Sequence, residues 1–154
     1  MATVEHPQTD QLEGYERVFF PVEDKTLGEA EALWAERVPD GFRIDNVPLV
    51  VFGISRGDVV EAEPNGEQLW FSGVVERGGH STYRVMLAEA GGATDEPGVR
   101  DLVALGCGYE ALTPRFFAFD VPPQVDVQRV HALLERGLDE GRWKFDEAHH
   151  GHGP

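Results

Sequence analysis

The side chains that could do chemistry in this sequence gather behind a pair of glycines, in the run Arg77-Gly78-Gly79-His80-Ser81-Thr82. His80 brings an imidazole that titrates near neutral pH. Ser81 and Thr82 bring hydroxyls that both donate and accept, and Gly79 lets another backbone or a ligand come close. If residues 80–87 form a strand, alternation puts His80, Thr82 and Arg84 on one face and Ser81, Tyr83 and Val85 on the other. A His-Thr-Arg row could receive a carboxylate or a phosphate. Arg84 could equally pair with a cross-strand Glu. His80 could instead donate to a backbone carbonyl while Ser81 or Thr82 satisfies turn amides, the commoner use of such residues. Gly79, His80, Ser81, Thr82 and Arg84, together with Tyr109, are the candidate binding residues.

Other reactive groups fare worse. Cys107 could pair with a histidine as nucleophile and base, but it falls at the end of an expected helix, where the dipole raises a thiol pKa. His149, His150 and His152 suggest metal ligands, yet adjacent histidines in a glycine-rich terminus rarely form a preformed site. The glycines fit neither a phosphate-binding loop nor a dinucleotide fingerprint. Carboxylates are plentiful, but no pair stands out. The sequence therefore points to no catalytic residue, no metal site and no cofactor.

The 154 residues fit one domain with a core of its own. Acidic residues outnumber basic ones by 28 to 13, for a net charge of −15. That balance favours solubility and repels phosphate backbones, which disfavours nucleic-acid binding through a broad basic face. It can also steer the protein onto a basic partner. A single cysteine fits a reducing compartment. No apolar run is long enough to span a bilayer, and the N-terminal residues lack the pattern of a secretory signal. The expectation is a cytoplasmic protein with no membrane partner.

The elements that would position the candidate residues can be read from turn chemistry and periodicity. Residues 1–14 read as a disordered acidic arm, residues 15–147 as a single domain, and residues 148–154 as a flexible His/Gly tail. Within the domain, residues 15–89 read as a strand-rich meander and residues 90–147 as a helix-containing half. Residues 15–22 predict a strand, with Pro21 marking an edge or an end. Pro39-Asp40-Gly41 predicts a hairpin between residues 33–38 and 42–46, since Pro presets φ and Gly accepts a positive one. Asn65-Gly66 predicts a second hairpin, and Gly78-Gly79 a further tight turn into residues 80–87, which makes a three-stranded meander.

After a joint at Gly91-Gly92-Ala93, Thr94 or Asp95 could cap a short helix with Pro97 in its first turn and a stripe of Val99, Leu102 and Val103. Residues 109–121 predict a strand broken by Pro114. Asp126 could cap the longest helix, with Val127, Val130, Leu134 and Leu138 as its stripe, Leu133 beside it, and Gly137 weakening it by about 1 kcal/mol. Residues 142–145 could add a short strand. The expected class is α+β: a mainly antiparallel sheet or small partly open barrel of about five to seven strands, with two helices packed on one face.

The segments NVP, GISRGDVVEAEP, VVERGGHSTYRV, and AFDVPP followed by a helix and GRW carry a resemblance. They resemble a bacterial family known only as a domain of unknown function, number 4265. The likeness runs over residues 31–148, and its most specific parts are GDVVEA and GHST with the RV after it. It implies a bacterial setting and supports the domain boundaries, and it assigns no catalytic residue. Charge, the missing catalytic constellation and the compact plan together predict a non-enzymatic interaction module, an acidic immunity- or antitoxin-like accessory that binds a basic partner. The alternative is a small-ligand sensor or small enzyme using the His80 face.

Overall fold

The structure is a computed structural model that describes residues 3–7, 13–89 and 96–153. Its first strand lies inside the span expected to be a disordered arm. β1 (Thr3–Glu5) runs parallel to β3 (Ala30–Val38), which pairs antiparallel with β2 (Tyr15–Pro21). Val4 and His6 are both buried. No local pattern announces this, because the groups that hold His6 are Glu31 and Glu110, far along the chain. Residues 1, 2 and 8–12 of that arm lie outside the described residues.

The Pro39-Asp40-Gly41 turn forms the expected hairpin between β3 and β4 (Gly41–Ile44), with Val38 opposite Gly41. A Cβ at Gly41 would lie 2.3 Å from the Val60 carbonyl oxygen, so the strand crossing tolerates only glycine there. The Asn65-Gly66 turn likewise joins β5 (Val59–Asn65) to β6 (Gln68–Glu76). The six-stranded sheet has the order β1-β3-β2-β6-β5-β4, and β3 pairs with β4 as well. Five strands thus return on themselves as a small barrel. Val18, Phe20, Leu33, Ala35, Ile44 and Val60 fill it.

Gly78-Gly79 does not make a hairpin, and the expected three-stranded meander is corrected here. β7 (Ser81–Leu87) belongs to a second sheet of four strands. Nearly every residue of β7 is buried, on both faces, with Met86 the one exception. A strand of that kind needs cover on each side, which a partner as exposed as β6 cannot supply. The diglycine carries the chain between sheets by passing close to Gly57, whose carbonyl oxygen would lie 2.6 Å from a Cβ on Gly78.

The second sheet continues through α1 (Pro97–Ala104), β8 (Gly108–Ala111), β9 (Phe116–Val121), α2 (Val127–Asp139) and β10 (Trp143–His149), in the order β10-β7-β9-β8. This is the split βαβ plan. The described residues form ten strands in two sheets, where the sequence suggests one mainly antiparallel sheet or small partly open barrel of about five to seven. Every pairing is antiparallel except β1 with β3 and β2 with β6.

Asp126 caps α2 as expected, accepting from the Gln128 amide at 2.9 Å. α1 is capped by Glu96; Thr94, Asp95 and the Gly91-Gly92-Ala93 joint lie outside the described residues. The stripes are narrower than predicted, since Val103 and Leu138 are exposed. Gly137 has a purpose that propensity hides. A Cβ there would sit 2.1 Å from the Trp143 ring, and one on Gly98 2.5 Å from it, so the indole fits where both helices lack side chains. Its Nε1 donates to the Leu134 carbonyl at 2.9 Å.

Between the sheets runs an irregular connector, residues 45–58, rich in buried apolar residues. A buried loop must satisfy its own amides, and here buried carboxylates do so. Glu31 accepts from the amides of Leu49, Val50 and Val51 at 2.8–3.0 Å. Asp58 accepts from Ser55 at 3.0 Å and from Gly78 at 2.9 Å. No helix among the described residues is long and apolar enough to cross a membrane.

Candidate functional site

Alternation along β7 places Thr82 and Arg84 on the face turned toward the connector, with His80 just ahead of the strand. The expected row therefore exists. Each member has a fixed partner.

His80 Nδ1 lies 2.8 Å from Asp120 Oδ1, a carboxylate only 2 % exposed on β9. Its ring rests against Gly57, where a Cβ would meet it at 2.9 Å. Gly79 takes a positive φ of 85° at the bend before it. Thr82 Oγ1 is 2.6 Å from Ser55 Oγ, which is itself 2.8 Å from His149 Nδ1. Burial, reinforced by the nearby Arg77 charge, holds His149 below the usual imidazole pKa and keeps it neutral. Arg84 forms a two-pronged bond to its cross-strand neighbour Asp146, Nε to Oδ1 at 2.9 Å and Nη2 to Oδ2 at 2.6 Å, and lies 4.0 Å from the Phe52 ring centre. The pairing with an acidic cross-strand residue was one of the open readings; the residue is an aspartate.

Ser81 points the other way. Its Oγ accepts from the amides of Gly151 and His152 and lies 2.7 Å from His152 Nδ1. His152 Nε2 sits 3.0 Å from the Pro122 carbonyl and 3.1 Å from that of Val125, so Nε2–H donates and Nδ1 accepts the Ser81 hydroxyl proton. Gly151 and His152, within the span 148–154 expected to be a flexible tail, are tied down through this serine, and His149 ends β10. Tyr109 stays apart from the row. It packs at 5.7 Å from Phe119 and 6.0 Å from Phe117, in the core that contains the helices' buried residues.

Sequence reasoning missed Ser55 and Asp58 and left Arg77, the first residue of the run, out of the candidate set; the three complete the polar cluster beneath the row. Arg77 Nη1 donates to Asp58 at 2.9 Å and to the Gly53 carbonyl at 2.6 Å. A Ser followed three residues later by Asp, bracketing Arg-Gly, was the available signal for a side chain closing its own turn. His6, Glu31 and Glu110 were missed for want of any local signal.

What this arrangement can do chemically is limited by access. Ser55 and His149 have the spacing of a hydroxyl and its base, but Ser55 is fully buried and its oxygen also serves Thr82. Cys107 is buried, and desolvation, with Asp120 behind it, pushes its thiol up to about 12. His149, His150 and His152 bond to Ser55, Glu147 and Ser81 respectively. Among the described residues no group of three or more His, Cys, Asp and Glu side chains is placed to hold a metal ion.

The fold has a relative of known structure. A hypothetical protein from Neisseria gonorrhoeae superposes with a TM-score of 0.77 over 94 % of this chain and 100 % of its own, at 16 % identity. At that identity the likeness speaks for the fold alone. Comparison with curated proteins yields no match. The sequence model of one family matches residues 31–145, from the buried Glu31 of β3 to Phe145 of β10. The chain belongs to that family, described as a domain of unknown function, DUF4265.

Proposed function

We propose that the protein is a non-enzymatic interaction module, an acidic accessory of the immunity- or antitoxin-like kind that binds a basic partner. The supporting observation is a contrast in how polar groups are used. The candidate row is committed to internal bonds between the sheets, whereas Glu61, Glu63, Glu67 and Glu76 stand exposed on the β5–β6 hairpin, outside the ion pairs of the described residues. Exposed like charges on a hairpin steer an oppositely charged surface and set its orientation. In this reading the protein works in the bacterial cytoplasm. The two helices cover one face of the four-stranded sheet and leave the hairpin as the working surface.

The test is capture of a partner from an extract of the native host, with wild-type protein and with Glu61, Glu63, Glu67 and Glu76 all changed to Lys. A basic partner retained at low salt should be lost at high salt and lost with the charge-reversed protein. A partner held equally under all conditions, or none at all, ends the proposal.

One observation favours the second reading, a small-ligand sensor or small enzyme using the His80 face. Arg84 Nη1 is buried with no partner among the described residues, and such a donor suits an anion. Replacing His80 with alanine separates the readings. Lost function with intact stability supports the ligand site, and lost stability with intact function supports the interaction module.

A further inference from the structure

A groove of about 460 Å³ opens where β2 and β6 stop pairing. The two strands are in register only at Val18–Leu69 and Phe19–Trp70. Pro21 has no N–H with which to continue the ladder. Phe20, Val22, Phe52, Ile54, Phe71 and Val74 line the gap. Phe20 and Phe71 stack at 4.8 Å between ring centres, so the wall is preformed. The volume falls in the range of small-molecule sites, roughly 300–1,000 Å³, which pair apolar walls with a few polar groups at the mouth.

The mouth is charged. Lys25, Arg77 and Glu23 complete the lining. Arg77 is neutralised by the buried carboxylate of Asp58. Lys25 belongs to no ion pair of the described residues, and its Nζ makes a single long contact, 3.4 Å to the Glu29 carbonyl. Lysine is a flexible point charge suited to a lone carboxylate. Glu23 on the same rim opposes a head group carrying two charges.

We infer that this groove is a binding site for a monoanionic aliphatic carboxylate, with the hydrocarbon along Phe52, Phe71 and Val74 and the carboxylate at Lys25. The site shares β6 with the acidic hairpin but uses none of its four exposed glutamates, and it goes beyond the function proposed above. It uses no residue of the His80 row.

Decanoate and decanol, both below their aggregation limits, are the probes, and amide chemical shifts of the full chain are the readout. Decanoate should bind saturably, with the largest shifts in residues 51–54 and 71–77. Val74→Glu, at an exposed position on the wall, should abolish the binding of both probes. Lys25→Ala should weaken decanoate roughly twofold to fivefold, the size of an exposed ion pair, and leave decanol unchanged. The absence of saturation, or shifts centred elsewhere, overturns the site. Equal effects of Lys25→Ala on both probes overturn the carboxylate assignment. Should Val74→Glu fail to fold, Lys25→Ala carries the test, since it breaks no ion pair.

Discussion

His6 Nε2 stands 2.5 Å from Glu31 Oε2, and both side chains are fully excluded from solvent. The other ring nitrogen, Nδ1, lies 2.7 Å from Glu110 on β8. One imidazolium therefore joins β1, the barrel and the second sheet. Glu31 binds the connector amides at the same time. A buried histidine flanked by two carboxylates is stable when it carries the charge that they require.

That relationship predicts a pH dependence. Burial alone would lower the His6 pKa, but the hydrogen bonds and charges of Glu110 and Glu31 outweigh it and raise the value to about 9 from 6.5. A group held more basic in the folded state contributes fully below the unfolded pKa and loses that contribution as pH rises through the folded one. Stability should therefore fall between pH 6.5 and 9, by on the order of 3 kcal/mol. Urea denaturation across that window measures it, and His6→Gln should flatten the slope. A wild-type protein equally stable at both ends refutes the charged triad.

Gly137→Ala should destabilise. In an exposed helix interior the change would gain about 1 kcal/mol. Here the added carbon meets the Trp143 ring, which Gly98 and the Leu134 carbonyl hold from other sides. Overpacking of this kind costs about 1–3 kcal/mol. A variant more stable than wild type would show that the indole can move.

Asp58→Ala should cost about 2–3 kcal/mol, because it strands the buried Ser55 amide and removes the acceptor of the part-buried Gly78 amide and of the half-exposed Arg77 guanidinium. Glu61→Ala, on the exposed hairpin, should stay within about 0.5 kcal/mol of wild type. Thermal melts of the pair compare a buried carboxylate that bonds the connector with one exposed on the hairpin.

His80→Ala leaves the buried Asp120 carboxylate without its ring partner, a loss of about 1–3 kcal/mol. The melting temperature should drop by several degrees while partner capture persists. Capture lost at unchanged melting temperature would move the working surface to this face.

Cys107 should resist a thiol reagent at pH 8 in the native protein and react at once in urea, because burial holds it as the thiol. Rapid native labelling would contradict its place in the core.

Much of the architecture was legible because it is encoded locally. Pro39-Asp40-Gly41 and Asn65-Gly66 specify their turns through allowed φ values, and Asp126 caps its helix through one side-chain bond. Gly78-Gly79 looked like a third such turn and was not. Glycine marks a bend, but the strand beyond it goes wherever β7 finds cover for both faces. Gly137 misled for a similar reason: propensity reads the helix, and the indole beside it comes from β10.

By itself the sequence determined the turns, one helix cap, the alternation along residues 80–87, and the acidic charge. These are properties of neighbours in the chain, set by backbone sterics and side-chain period. Only the tertiary structure decided what the candidate row does. His80, Ser81, Thr82 and Arg84 find Asp120, His152, Ser55 and Asp146, each of them 27 or more residues away. Which distant group meets a polar side chain depends on how two sheets close over a connector, and a buried polar group accepts the partner that this closure provides.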